Sequence, residues 1–370
     1  MSQLFTPISL RGLALENRIM ISPMCQYSAR DGCATDWHVI HLGGLAQSGA
    51  GMLCLEATAV TPEGRITPGC LGLYSDANEA ALAHVIASVR QWSQMPLGIQ
   101  IGHAGRKASS HEPWHGGGLI TAETGGWRPV APSAVPISHD EPPPEVLDEA
   151  GLRRIRDAFA MSATRADRIG LDAMELHFAH GYLVHEFLSP LSNRRTDQYG
   201  GSMENRVRFA LEVFDAVRQV WPDSKPLGVR LSATDWVEGG WDIDSSVTLA
   251  RQLKARGCDW IDCSGGGISP DQKIPVGPGY QVPLASRIRR ETGSTTIAVG
   301  LITEPLQAEA IIAAGDADLV AVARAVLWDP HWAWQAAAEL GGTVQAPKQY
   351  WRSAPRGKQA VLRGSTGGQR

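Results

Sequence analysis

The sequence predicts an α/β protein folded as a single (β/α)8 TIM barrel with long βα loops and a short N-terminal hairpin. Three observations carry this. Eight apolar runs of strand length recur along the chain, amphipathic helical patterns separate them, and the Gly-x-Gly-x-x-Gly turn of a doubly wound open sheet is missing after the first run. That turn would follow Ile19–Pro23, where the chain reads Ser22-Pro23-Met24-Cys25-Gln26. The 370 residues exceed one average domain, yet α/β barrels run past about 250 residues as one unit.

In chain order the expected strands are Ile19–Pro23, Met52–Thr58, Leu97–Gly102, Ala173–His177, Leu227–Leu231, Trp260–Ser264, Thr296–Gly300 and Leu319–Ala323. Helical periodicity marks Leu152–Ile169, Arg206–Val220, Ser245–Arg256, Pro305–Ala314 and Pro330–Leu340. Leu10–Leu15 reads as a short hairpin strand under the barrel. Two connections are long, Lys107–Pro144 before the fourth strand and Ser232–Asp242 after the fifth, and loops of this length in a compact domain are usually functional. Residues 1–352 form one expected barrel domain. Residues 353–370, basic, Gly- and Ser-rich and poor in apolar side chains, read as a disordered tail.

Composition narrows the function classes. The net charge of −4 and the lack of a basic stripe argue against nucleic acid. No apolar run reaches the roughly 18 residues that span a membrane. Met1–Pro7 carries neither the basic nor the apolar region of a signal peptide, so a cytoplasmic location is expected. Six cysteines lie scattered with no Cys-x-x-Cys pair, which speaks against a zinc or iron-sulfur site and for free thiols. No metal is expected.

The chemistry gathers just past strand ends, where a parallel barrel builds its active site. Glu175-Leu-His177-Phe-Ala-His180-Gly-Tyr182 follows the fourth strand. Its two imidazoles and one phenol can polarise a carbonyl and protonate the carbon beside it. Gln100 ends the third strand with both donor and acceptor atoms, as a pyrimidine-like ring edge requires. Arg230 ends the fifth and needs either a bound anion or an internal carboxylate such as Glu175. Val299-Gly300 and Ala323-Arg324, after the last two strands, read as a phosphate site. Gly265–Gly267 either widens that surface or forms a flexible loop. Cys25 is either an inert thiol or a reactive one.

Taken together, these residues resemble the Old Yellow Enzyme family of FMN-dependent ene-reductases, in its xenobiotic reductase or thermophilic-like branch. The likeness rests on Ser22-Pro-Met-Cys-Gln-Tyr27, Glu56-Ala-Thr-Ala-Val60, His103-Ala-Gly-Arg-Lys107, His177-x-x-His180-x-Tyr182 and Ser192-Asn-x-Arg-x-Asp-x-Tyr-Gly-Gly-Ser202, and it covers nearly all of residues 1–352. The resemblance implies FMN as cofactor and NADPH or NADH as donor. It also implies ping-pong hydride transfer from flavin N5 to the β-carbon of activated alkenes: enones, enals, maleimides and nitro compounds. By the same resemblance Ser22, Pro23, Met24, Cys25 and Ala57 line the flavin, with His177 also against it, and Gln100 and Arg230 contact its ring edge. Val299, Gly300, Ala323 and Arg324 hold its phosphate. His177 and His180 bind the activating oxygen, Tyr182 donates the proton, Tyr27 adds a hydrogen bond, and Cys25 tunes the flavin. Tyr350, Trp351 and Arg352 resemble a segment that enters a neighbouring subunit's site, which implies a homodimer or a dimer of dimers.

Overall fold

The computed structural model describes residues 2–365. In chain order the elements are β1 (Ile8–Leu10), β2 (Leu13–Leu15), β3 (Ile19–Ile21), α1 (Asp36–Leu45), β4 (Met52–Ala59), α2 (Asp76–Arg90), β5 (Leu97–Gly102), β6 (Val130–Ala131), β7 (Glu145–Val146) and α3 (Glu149–Arg168). The second half adds β8 (Ala173–Phe178), α4 (Leu183–Leu188), α5 (Met203–Val220), β9 (Leu227–Ser232), α6 (Ile243–Ala255), β10 (Trp260–Ser264), α7 (Val282–Thr292), β11 (Thr296–Ala298), α8 (Pro305–Ala313), β12 (Leu319–Val322), α9 (Arg324–Trp328) and α10 (Trp332–Leu340). Strands β3-β4-β5-β8-β9-β10-β11-β12 pair in parallel and close into a barrel. The predicted (β/α)8 architecture is the one observed.

Strand alternation divides the core in two. One side of each strand packs outward on the helices: Ile19, Ile21, Leu53, Ile99, Ile101, Leu176, Phe178, Val229, Leu231 and Val320 join the large cluster with Leu152, Ile155 and Phe159 of α3. The other side faces the barrel axis, where Met20, Met52, Cys54, Ala173, Trp260, Ile297, Leu319 and Ala321 form a second cluster. The β1–β2 hairpin closes the N-terminal end, because Leu10 and Leu15 belong to that inner cluster. The hairpin is thus two three-residue strands around a turn at Arg11-Gly12, in place of the single strand expected over Leu10–Leu15. Inside the barrel Gly228 leaves room for the Trp260 indole, which lies 2.0 Å from where a Cβ at 228 would stand.

The differences from the sequence-based boundaries lie at strand ends. Ile19–Pro23, Thr296–Gly300 and Leu319–Ala323 each stop short, at Ile21, Ala298 and Val322. Pro23 has no N–H for the ladder, Gly300 turns to φ +122° and Ala323 leaves the strand region at ψ −91°. Hydrophobicity continues past these points at Pro23, Val299 and Ala323, so the apolar runs outlast the ladder. The long loop after β5 is ordered by short 3-10 turns and by the β6–β7 pair. The expected disorder from residue 353 does not describe 353–365: Val344 bridges Leu362, and Leu362 is buried with Ala337 and Val344. An isolated leucine in a polar segment is a weak signal, but here one buried side chain and its backbone bridge suffice to dock the segment. The rest of that expectation, 366–370, lies outside the described residues. Among the described residues no helix is long and apolar enough to cross a membrane.

Candidate active site at the barrel mouth

Near the mouth the inward side chains change from apolar to polar. Gln100 of β5 donates from Nε2 to Glu175 Oε1 of β8 at 2.8 Å, and Trp260 Nε1 of β10 donates to Glu175 Oε2 at 3.0 Å. Arg230 of β9 donates to Ser22 Oγ at 3.0 Å and stands 3.4 Å from Asp262 Oδ2. The carboxylate beside Arg230 is therefore Asp262, and Glu175 serves Gln100 and Trp260. All six side chains are buried. Burial drives Glu175 up to about 7, with the Asp262 charge adding to the push and Arg230 opposing it. Asp262 is raised for the same first reason.

One step further out, β8 ends in the turn that carries the imidazoles and the phenol. The His177 and His180 rings lie 5.0 Å apart, and His177 and Tyr182 4.9 Å apart, all edge to face. His177 Nδ1 accepts the Ala179 N–H at 3.3 Å, which leaves the proton on Nε2. His180 Nε2 meets Ser264 Oγ at 2.7 Å. Desolvation holds both imidazoles well below their ordinary value, and the Arg230 charge depresses them further. Both are neutral at physiological pH, hydrogen-bonding groups and not cations. Desolvation raises the Tyr182 phenol well above its ordinary value, so it holds a proton.

This turn is over-determined. His180 sits at φ +62°, a strained conformation for a side chain with a Cβ. Lys107 Nζ donates to His180 O at 2.9 Å and to Gly267 O at 3.0 Å, and it lies 5.5 Å from the Tyr182 ring centre. His185 accepts the Gly181 N–H at 2.8 Å and pairs with buried Asp235 at 2.8 Å, which is itself fixed by Ser189 and the Trp241 N–H. A Cβ on Gly267 would stand 2.5 Å from His180 Cα. Gly267 is thus packed directly behind His180, while Gly265 and Gly266 lie against Trp236 and Gln272.

The loop after β3 supplies the opposite side. Gln26 N donates to Glu56 Oε2 at 3.0 Å, and Glu56 faces His38 at 3.4 Å, which ties Cys25 and Tyr27 to β4. Tyr27, at φ +52°, meets the edge of Trp114 at 5.5 Å. Hydrogen bonding to Cys70 and burial keep the Cys25 thiol well above its ordinary value, so it is not a thiolate nucleophile. A cavity of about 230 Å³ opens between Tyr27, Tyr182, Lys107, Ile66, Leu119 and Ile137, room for a small, largely apolar molecule in contact with both phenols.

The mouth thus carries a buried polar set on β5, β8, β9 and β10, two neutral imidazoles and a phenol beyond it, and a small cavity against that phenol. Residues 3–341 fit the NADH:flavin oxidoreductase / NADH oxidase family. The chain belongs to that family. It is 44% identical over 351 residues to an NADPH dehydrogenase of Geobacillus thermodenitrificans (strain NG80-2), covering 94% of this chain and 98% of that one. An NADH:flavin oxidoreductase of Gibberella zeae is 42% identical over 376 residues, 96% and 91% of the two chains. Among solved structures, morphinone reductase superposes with a TM-score of 0.75 at 29% identity, covering 93% of this chain and 91% of that one, and it is also known in complex with tetrahydroNAD. A 2-naphthoyl-CoA reductase superposes with a TM-score of 0.80 at 25% identity over 89% of this chain, which spans 51% of that longer one. The protein is an oxidoreductase of the Old Yellow Enzyme type, with FMN and a nicotinamide nucleotide as cofactors.

The residues present fit FMN. Arg230 Nε is buried without a hydrogen-bond partner, and Gln100 keeps one amide N–H and its carbonyl oxygen unpaired by protein among the described residues. That set suits the donors and acceptors of a flavin pyrimidine edge. The Leu55/Ala57 bulge of β4 sets Ala57 opposite Gln100, while Pro23 and Met24 follow β3, with Met24 packed against the outer core. Gly300 is a backbone cradle: a Cβ there would stand 2.9 Å from Gln281 Nε2. Val299 and Gly300 follow β11, and Ala323 and exposed Arg324 follow its neighbour β12, so all four share one corner of the mouth. Tyr350, Trp351 and Arg352 are not brought to this chain's own mouth. Trp351 packs within its own chain, donating to Ala346 O at 3.1 Å, while Tyr350 stacks edge-on to His331 and Trp334 and Arg352 is exposed.

Sequence reasoning gave no role to Lys107, His185, Asp235, Ser264 or Asp262. The available signal was polarity out of place: α4 is buried at every position, His185 and Glu186 included, and a buried polar side chain demands a partner.

Proposed function

We propose that this flavin-dependent oxidoreductase is an ene-reductase that uses NAD(P)H to reduce the C=C bond of enones, enals, maleimides or nitro compounds. The observation that supports it most is the meeting of two neutral imidazoles and a protonated phenol at the rim of the FMN-compatible mouth. FMN, when bound, supplies the hydride carrier that NAD(P)H reduces and the alkene reoxidises. Ser22, Pro23, Met24 and Ala57 line its ring, Gln100 and Arg230 bind the pyrimidine edge, and Val299, Gly300, Ala323 and Arg324 receive its phosphate. Cys25 lies beside the ring as a neutral thiol that tunes it. His177 and His180 donate to the activating oxygen, where negative charge grows in the transition state. Burial and the nearby Arg230 charge keep both rings neutral, and a neutral imidazole still offers one N–H donor. His180 Nε2 is engaged with Ser264 Oγ at 2.7 Å, and when Ser264 donates in that contact Nδ1–H is the group free to donate. Tyr182 delivers its proton to the carbon next to the activating group, with Tyr27 across the cavity as a further hydrogen bond. A phenol of raised pKa is a weak acid in water, yet adequate toward a carbanion held in contact with it.

Nicotinamide and alkene would use the same space over the ring, hence ping-pong order. Tyr350 and Arg352, exposed on their own chain, are the groups available to a neighbouring subunit in a homodimer or dimer of dimers. The test is an anaerobic absorbance titration of the purified protein with NADPH, followed by 2-cyclohexenone. Flavin bands that bleach with NADPH and return with the enone are expected. Bands that bleach and stay bleached with enones and nitroalkenes alike would overturn the ene-reductase reading.

A further inference from the structure

Beneath the mouth, three strands are arranged around one carboxyl group. Glu175 is fully buried and, among the described residues, touches no arginine or lysine through a hydrogen bond and accepts from Gln100 and Trp260 alone. The indole reaches it because β9 gives up a side chain at Gly228. A buried carboxyl is costly, and nothing in the chemistry above the ring uses it. What it does physically is choose an orientation. A glutamine amide can present either end, and only a partner that is purely an acceptor or purely a donor decides between them. An ionised carboxylate accepts only.

We propose that Glu175 is a positioning residue for the flavin site: by accepting one Nε2–H of Gln100, it fixes that amide so its remaining N–H and its carbonyl oxygen face the mouth as a donor–acceptor pair for the pyrimidine edge of FMN. Trp260 holds the carboxylate, and Gly228 admits Trp260. The inference rests on the assignment of Gln100 to that edge. A consequence follows for pH. The groups facing Glu175 are Gln100 on β5, Trp260 and Asp262 on β10, Arg230 on β9, Cys54 on β4 and Cys258. Their balance, dominated by burial, puts its protonation near 7. A neutral carboxylic acid can donate as well as accept, so the amide loses its enforced orientation on the acid side.

The experiment measures FMN release from the holoenzyme, by flavin fluorescence on dilution, between pH 5.5 and 9. For the wild type, the FMN dissociation constant should rise as pH falls through about 7. Glu175→Gln should raise it about tenfold on the alkaline side, the scale of one hydrogen bond to a charged group, and abolish the pH dependence. In a Gln100→Ala background, Glu175→Gln should add nothing further, because it acts through Gln100. Trp260→Phe removes one donor to the carboxylate, so the midpoint should move to higher pH. This second variant keeps the test decisive if Glu175→Gln does not fold. Unchanged FMN affinity in Glu175→Gln beside weakened affinity in Gln100→Ala would overturn the proposal alone, as would full additivity of the two changes or an unmoved midpoint in Trp260→Phe. Wild-type affinity in Gln100→Ala would instead overturn the flavin-edge assignment itself.

Discussion

At the scale of single residues, protonation state separates the groups at the mouth into roles. His177 and His180 are neutral because water has been removed around them and Arg230 stands near; Tyr182 keeps its proton for the first of those reasons. Tyr182→Phe should leave flavin reduction by NADPH near normal and slow reoxidation by an enone by roughly 10²- to 10⁴-fold, the usual worth of a general acid. Stopped-flow measurement of the two half-reactions checks this, and equal loss in both would remove Tyr182 as proton donor. His177→Ala should weaken binding of a phenol ligand by about tenfold or more, read from the long-wavelength charge-transfer band; an unchanged dissociation constant would take His177 out of the anion site. The residue types here were readable from His-x-x-His-x-Tyr at a strand end. Their charge states were not, because a pKa is set by surroundings that spacing does not contain. Lys107 shows the same limit: its Nζ bonds to His180 O and Gly267 O, which lie 73 and 160 positions away in sequence.

At the scale of elements, the turn after β8 and Gly267 after β10 form one unit. Gly267 stands at φ +97° with His180 directly behind it. Gly267→Ala should therefore cost on the order of 1–3 kcal/mol and displace His180, weakening phenol binding as well as lowering the thermal midpoint. An alanine that leaves both unchanged would show that Gly267 does not set the histidine. Inside the barrel, Gly228→Ala should clash with Trp260 and loosen the Glu175 contact, visible as a change in tryptophan fluorescence. The eight barrel strands were legible as apolar runs, and α3, α5, α6, α8 and α10 from the 3.6-residue period. Element ends were less so: β3, β11 and β12 each stop short of their apolar runs because the ladder ends where the chain turns to form the mouth.

At the scale of the whole molecule, burial raises four buried carboxyls among the described residues, Glu56, Asp262, Glu175 and Glu186; Glu175 is taken to about 7 and Glu186 to about 8. Their sign is that of a proton held more tightly by the folded state. The associated stability is fully present below the ordinary carboxyl value near 4.5 and is lost as pH rises through the folded value. Glu186→Gln keeps an acceptor for the Arg106 N–H and should flatten the decline between about pH 5 and 8. Denaturant midpoints across that range measure it, and an undiminished slope would place the decline elsewhere. The hairpin is the other global device. Leu10 and Leu15 belong to the inner cluster, so Leu15→Ala should cost about 2–5 kcal/mol although it lies at the end of the barrel opposite the active site, with flavin affinity changed far less than the unfolding midpoint.

The sequence by itself determined the closed barrel, since apolar runs of strand length and the amphipathic helical period are local and repeat around the fold. It also determined the residue kinds gathered at the mouth, because βα turns always lie at that end of a parallel barrel. Which polar groups meet inside was decided only by the tertiary structure. Arg230 could have taken Glu175 or a bound anion, and it lies against Asp262 because β10 pairs with β9 in a register that sets 262 beside 230. Glu175 was left to Gln100 across the β5–β8 pairing. Register between strands distant in sequence, and the space one glycine leaves for an indole, are properties of the closed barrel and of no segment within it.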